Sequence, residues 1–167
     1  RHQTSLIERP YQVNEEYVVI GDMGWYDYSF ASKQMTKEQI FSAKKRMWRK
    51  DYLYARWDVN DEQITDKCLH NLKKQLDVHS NKKVILVNHF VPFKNFLTTS
   101  EIDDDLNAGN AFMGSERMGE LILQYPNIKW ASFGHTHIKF NDFVSAGSTN
   151  FICKPIGYRH EWHTRSF

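Results

Sequence analysis

The chain has 167 residues, 41% hydrophobic and 25% charged, with a net charge of +2. That is enough for one ordinary domain with its own core, and so small a charge gives no reason to expect nucleic acid or a membrane surface as partner. No apolar run reaches the roughly 18 residues of a membrane span, and no signal-peptide pattern opens the chain.

Cys68 and Cys153 stand far apart and do not make a disulfide framework, so a reducing, cytoplasmic setting is the expectation. The chain opens at Arg1 rather than a Met, with a polar stretch up to Pro10. That start reads as a processed N-terminus or as one piece of a longer protein.

Tyr17-Val18-Val19-Ile20 is a β-rich run and predicts a buried strand. Gly21-Asp22-Met23-Gly24 breaks it, and Trp25 to Phe30 forms an aromatic loop whose Trp25, Tyr26 and Tyr28 belong in the core or in a cleft wall. Thr36 with Gln39 three residues later is a capping box. It predicts a helix from about Lys37 to Trp57, with Ile40, Phe41, Met47 and Trp48 on or near the inner face. Lys44-Lys45-Arg46 with Arg49-Lys50 reads as a solvated face. Asn60 and Gln63 repeat the cap, and Ile64, Cys68, Leu72 and Leu76 recur every four residues, predicting an amphipathic helix that ends near His79. Cys68 belongs to that apolar stripe, while His70 and His79 fall off it.

Val84-Ile85-Leu86-Val87 is an uninterrupted apolar run, the pattern of a strand buried on both faces of a helix-covered sheet. It stops at Asn88-His89-Phe90-Val91-Pro92, and the ends of such strands are where open α/β sheets place ligands. Lys94 to about Met113 shows no periodicity and predicts a long loop, within which Glu101-Ile102-Asp103-Asp104-Asp105 reads as solvent-facing charge. A short helix is expected from Ser115 to Gln124, closed by Pro126. The strand beginning at Ile128 then runs into Ser132-Phe133-Gly134-His135-Thr136-His137. Residues two apart share a face of a strand, and Gly134 is expected to bend the backbone so that both imidazoles converge. Such a pair suits ions like Zn, Fe or Mn. Phe140 to Val144 and Asn150 to Cys153 predict two further strands joined by Ser145-Ala146-Gly147-Ser148. The tail cluster His160-Glu161-Trp162-His163 reads as surface or packing. The order of elements suggests an α/β layer with a β-rich end.

His89 and the His135/His137 pair follow two strands that both read as central, so three imidazoles are expected at neighbouring strand ends. This arrangement resembles the calcineurin-like metallophosphoesterase superfamily, of a bacterial type. Val84 to Pro92 looks like its strand, His and Pro motif, and Gly134-His135-Thr136-His137 looks like its closing G-H-x-H motif. Val144-Ser145-Ala146-Gly147-Ser148 and Gly24-Trp25-Tyr26-Asp27-Tyr28-Ser29 are similar to further segments. The resemblance implies part of a four-layer α-β-β-α sandwich with two metal ions, commonly Mn, Fe or Zn, that activate water to attack a phosphomonoester or phosphodiester. It implies that His89 and His135 bind one ion and His137 the other. The family's D-x-H and G-N-H-[D/E] motifs are not read in this chain, and Gly21-Asp22 is a poor match for its G-D. Residues 1–167 are therefore expected to be the C-terminal portion of one such domain, inactive without the missing part.

The main alternative is a non-catalytic scaffold or interaction domain of the same fold. A structural zinc site is disfavoured because Cys68 and Cys153 lack the short spacing such sites use. A nucleic-acid module is disfavoured by charge and by the lack of a basic-aromatic motif. The substrate class, beyond being phosphorylated, is not legible.

Overall fold

A single sheet organises the chain, and the computed structural model describes residues 5–100, 103–138 and 143–161. The strands are β1 (Tyr11–Gln12), β2 (Tyr17–Asp22), β3 (Lys83–Asn88), β4 (Ile128–Phe133), β5 (Val144–Ala146) and β6 (Thr149–Cys153), in the spatial order β1-β2-β3-β4-β6-β5. The central four run parallel, and the two edge strands pair antiparallel. The fold is therefore mixed α/β, as the alternation of elements implied. The short edge strand β1 was not expected. Residues 140–142, where the fifth strand was expected to begin, lie outside the described residues.

Helix α3 (Asp61–Val78) carries the capping box expected at Asn60 and Gln63 and buries Ile64, Leu69, Leu72 and Leu76. With α5 (Glu116–Leu123) it covers one face of the sheet, where Val18, Ile20, Val84, Leu86, Ala131, Phe133 and Phe151 join one core. The opposite face carries Val19, Ile85, Val87, Trp130 and Ile152, none of them fully buried, and Val87 is 38% exposed. A parallel sheet ordinarily has both faces covered. Here the second face is only partly covered: Val19, Ile85, Trp130 and Ile152 are half-buried and Val87 is exposed.

The predicted helix from Lys37 to Trp57 is two helices, α1 (Lys37–Met47) and α2 (Arg49–Tyr54), broken at Trp48 with φ −108° and ψ 45°. The Trp48 ring leaves the helical path to lie against Phe112 and His135. Phe41 and Met47, expected inside, are exposed because the inner stripe of α1 is Ile40, Ala43 and Lys44. Lys44 is the exception in the basic run: its ammonium pairs with Asp61 at 2.5 Å and is nearly buried. The expected loop from Lys94 to Met113 contains α4 (Asp104–Asn110), N-capped by Asp103. Seven residues with few apolar positions are too short to display a helical period.

Trp25, Tyr26, Ile64, Phe90, Ala108 and Phe112 form a second core beyond the C-terminal ends of β2 and β3. Asp61 is its polar anchor, accepting from Trp25 Nε1 at 2.7 Å and from the Tyr28 hydroxyl besides pairing with Lys44. Burial and then the Asp61 and Asp51 carboxylates push the Tyr26 phenol well above its usual range. Cys68, half-buried as its stripe implied, has its thiol pushed up to about 12, first by burial and then by Asp22. Among the described residues, no helix is long and apolar enough to cross a membrane.

Leu72 is fully buried, so Leu72→Ala is expected to cost roughly 2–5 kcal/mol of unfolding free energy. Val87→Thr, on the partly covered face, should stay within about 0.5 kcal/mol. Urea denaturation of the two variants checks this. Equal losses would mean that Val87 is packed.

Candidate metal centre

Parallel pairing brings the loops that follow β3 and β4 to the same edge of the sheet. Val87 stands opposite Ser132, and one step beyond the strands the Gly134 amide donates to the His89 carbonyl at 3.1 Å. The register thus sets His135 beside His89, and His89 Nε2 lies 2.9 Å from His135 Nδ1. His135 Nε2 faces the Phe112 carbonyl at 3.3 Å. A carbonyl only accepts, so Nε2 carries the proton and Nδ1 turns its lone pair toward His89.

Burial, and then the neighbouring His89, holds the His135 pKa down to about 4. Burial also lowers that of His89, with His137 a lesser cause. Both rings are therefore neutral near pH 7, the form that binds metal. Metal–nitrogen bonds of about 2.0–2.1 Å put two ligand nitrogens about 3.3 Å apart in a tetrahedral site and about 2.9 Å apart at the right angles of an octahedral one. The observed 2.9 Å fits two sites on one ion as well as it fits a hydrogen bond.

His137 turns elsewhere. Its Nδ1 lies 3.0 Å from Glu161 Oε2, an atom that also accepts from the Tyr158 amide at 2.8 Å. The carboxylate places the proton on Nδ1 and leaves Nε2 as the free donor atom, an arrangement common around metal-binding histidines. The Tyr158 ring packs edge-on against His137, with centroids 4.6 Å apart.

The divergence of the two imidazoles corrects the expectation that Gly134 would bend the chain to bring them together. β4 ends at Phe133, so strand alternation no longer governs these residues. His135 and His137 themselves take left-handed backbone angles, φ 65° and φ 55°, while Gly134 does not. A side chain at Gly134 would meet only ordinary contacts, the nearest being Pro155 Cβ at 3.7 Å. Left-handed non-glycine residues are uncommon and strained, and they concentrate at functional sites.

His89, His135, His137 and Glu161 all line one open cleft of about 1160 Å³. Among the described residues, no three His, Cys, Asp or Glu side chains converge closely enough to hold an ion. The imidazoles are placed as a pair and a single.

Asp22 is buried in a structural role, accepting from the Gly24 amide at 2.8 Å and from Asn71 Nδ2 at 3.3 Å. One D-x-H tripeptide does occur and escaped the sequence reading: Asp77-Val78-His79. It lies at the end of α3, where Asp77 pairs with Lys73 and His79 Nδ1 faces the Gln75 carbonyl, so it supplies nothing to the cleft. In the acidic run, Asp103 caps α4 and Asp105 pairs with Arg46 at 2.5 Å. Glu101 and Ile102 lie outside the described residues, as do Trp162 and His163 of the tail cluster. Glu161, read from the sequence as surface or packing, instead meets His137, and neither the Phe112 carbonyl nor Trp48, whose ring lies 5.3 Å from that of His135, had a site role in the sequence. No spacing signal marks them, because each reaches the site through the fold. No known family model matches the chain, and no curated protein matches it.

Two outcomes are expected. The folded-state pKa of His135 is about 4, below the unfolded value of about 6.5. Its contribution is therefore complete above pH 6.5 and is lost as the pH falls toward 4, by up to roughly 3 kcal/mol. Urea titrations of the metal-free protein across that window should show the loss, and His135→Phe should flatten it; parallel curves would refute the assignment. In nitrogen-15 NMR of the imidazoles, Glu161→Ala should release the preference of the His137 proton for Nδ1 while leaving the His89 and His135 signals in place, and unchanged His137 signals would show that Glu161 does not set its tautomer.

Proposed function

We propose that the chain is part of a metal-dependent phosphoesterase of the calcineurin-like kind, which hydrolyses a phosphomonoester or phosphodiester. The observation that carries the reading is the neutral His89–His135 pair at the ends of two adjacent parallel strands, with nitrogens 2.9 Å apart and the His135 tautomer set by a backbone carbonyl. His89 Nε2 and His135 Nδ1 would hold one ion, and His137 Nε2, oriented by Glu161, the other. When bound, two such ions, commonly Mn, Fe or Zn, polarise the phosphoryl oxygens and lower the pKa of a coordinated water. The part played by these residues is to supply neutral donors in a cleft that partly excludes water. Glu161 keeps the His137 proton on Nδ1, and the Phe112 carbonyl keeps that of His135 on Nε2.

The partly covered face of the sheet supports the four-layer sandwich. A second sheet packed on Val19, Ile85, Val87, Trp130 and Ile152 would complete the layers and bring carboxylates to the same edge. This chain is then the C-terminal portion of the domain, and the bridging acid comes from outside its residues. A scaffold that has lost catalysis is the second reading. It is favoured by the lack, among the described residues, of a third ligand beside the pair.

Protein carrying the complete domain is expected to take up two equivalents of metal and to hydrolyse p-nitrophenyl phosphate with Mn²⁺. His135→Ala should lower kcat/KM by at least about 10³-fold with the circular-dichroism spectrum unchanged. Turnover retained in that variant would sink the ligand assignment. No metal and no turnover in the complete domain would favour the scaffold.

A further inference from the structure

The cleft beside the histidines is walled by apolar side chains that water would otherwise avoid. Trp48 lies over His135, and Leu53, Tyr54, Leu97 and Ile138 extend the wall away from it. Tyr54 is 78% exposed and Ile138 is 44% exposed, and both face this cavity. Large apolar groups left accessible around a few convergent polar atoms mark a ligand site rather than a core.

The charge of the walls is equally informative. The ionisable lining residues besides the histidines are Lys50, Asp51, Asp105, Glu161 and the phenols. Among the described lining residues Lys50 carries the one ammonium against the carboxylates of Asp51 and Glu161, since Asp105 is offset by Arg46 and Lys44 is turned to Asp61. Sites for polyphosphates or nucleic-acid backbones need several Lys or Arg aimed into the cleft, because each phosphate must be neutralised.

Resting on the phosphoesterase reading, we infer that the substrate is a phosphate ester with one phosphoryl group on a bulky apolar, aromatic-sized alcohol and no second anionic group. The phosphoryl group goes to the histidine end. The alcohol lies along Trp48, Leu53 and Tyr54, and a polyanion is disfavoured by Asp51 and Glu161, against which the described lining sets Lys50 alone.

Equilibrium binding to the Mn²⁺-loaded complete domain tests this, with 1-naphthyl phosphate and ATP (each as its non-hydrolysable phosphonate), inorganic phosphate and 1-naphthol compared by calorimetry. The naphthyl ester should bind at least about tenfold more tightly than ATP. Tyr54→Ala, at an exposed position that does not threaten the fold, should weaken the naphthyl ester by roughly three- to tenfold and leave inorganic phosphate unchanged. Ile138→Ala provides a second variant on the opposite wall. Binding of ATP as tight as that of the naphthyl ester would overturn the substrate class while leaving the phosphoesterase reading standing. So would naphthyl binding that neither variant alters. If 1-naphthol bound as tightly as its phosphate, the phosphoryl group would have no partner, and both readings would fall.

Discussion

Everything at the site depends on the pairing of β3 with β4. Val84 and Leu86 on one strand, and Ala131 and Phe133 on the other, must all face the core under α3 and α5. Because side chains alternate with a period of two, a slip of one residue would turn that set outward. The register also contains a shift: Val84 pairs with Ile128, but Ile85 pairs with Trp130, so one extra residue of β4 is absorbed at the start of the ladder. Bulges of this kind re-aim the side chains beyond them. Continued past the strands, the shifted register puts His89 beside Gly134 rather than Phe133, and His135 then lies within bonding distance of His89.

The second core supplies what the sheet cannot. The aromatic loop after β2 and the helices α1 and α2 have no strand to hold them, and they are tied down through Asp61 instead. This carboxylate sits in the first turn of α3, where negative charge is favoured by the helix dipole. It gathers Lys44 from α1 and Trp25 and Tyr28 from the loop. A buried charge missing one of these partners would be costly, so the network holds the cap in one arrangement. Its consequence for function is indirect: it fixes the segment in which Trp48 breaks the helix and the cluster in which Phe112 is packed. The first covers His135, and the second sets its tautomer.

What could be read along the chain came from burial. The stripe Ile64, Cys68, Leu72 and Leu76 and the capping box at Asn60 marked α3 because every turn of it repeats the same apolar choice. The runs around Val84 and Ile128 marked strands because both ends of each are bounded by polar or turn residues, but the burial on both faces expected for Val84–Val87 fails at Ile85 and Val87. The helix break at Trp48 was not legible: the residues on either side are good helix formers, and only the ring's packing against Phe112 and His135 interrupts them. Helix α4 was hidden for another reason, since its few turns bury little more than Ala108 and Asn110. At the site, the histidines were visible as residue types at strand ends, but their directions were not. The reading of Gly134 as the bend failed because the left-handed turn is carried by His135 and His137 themselves, and a tripeptide's letters do not reveal its φ angles.

By itself, then, the amino-acid order determined that this is an α/β chain whose central strands end in imidazoles, because hydrophobic period and polar punctuation are local properties. Only the tertiary structure decided that His135 meets His89 while His137 meets Glu161. It also decided that one face of the sheet is only partly covered and that the described lining of the cleft is largely apolar, with Lys50 its one ammonium. The two contacts join residues 24 and 46 positions apart, His137 with Glu161 and His89 with His135. No local rule relates such residues until burial of the two cores brings them together.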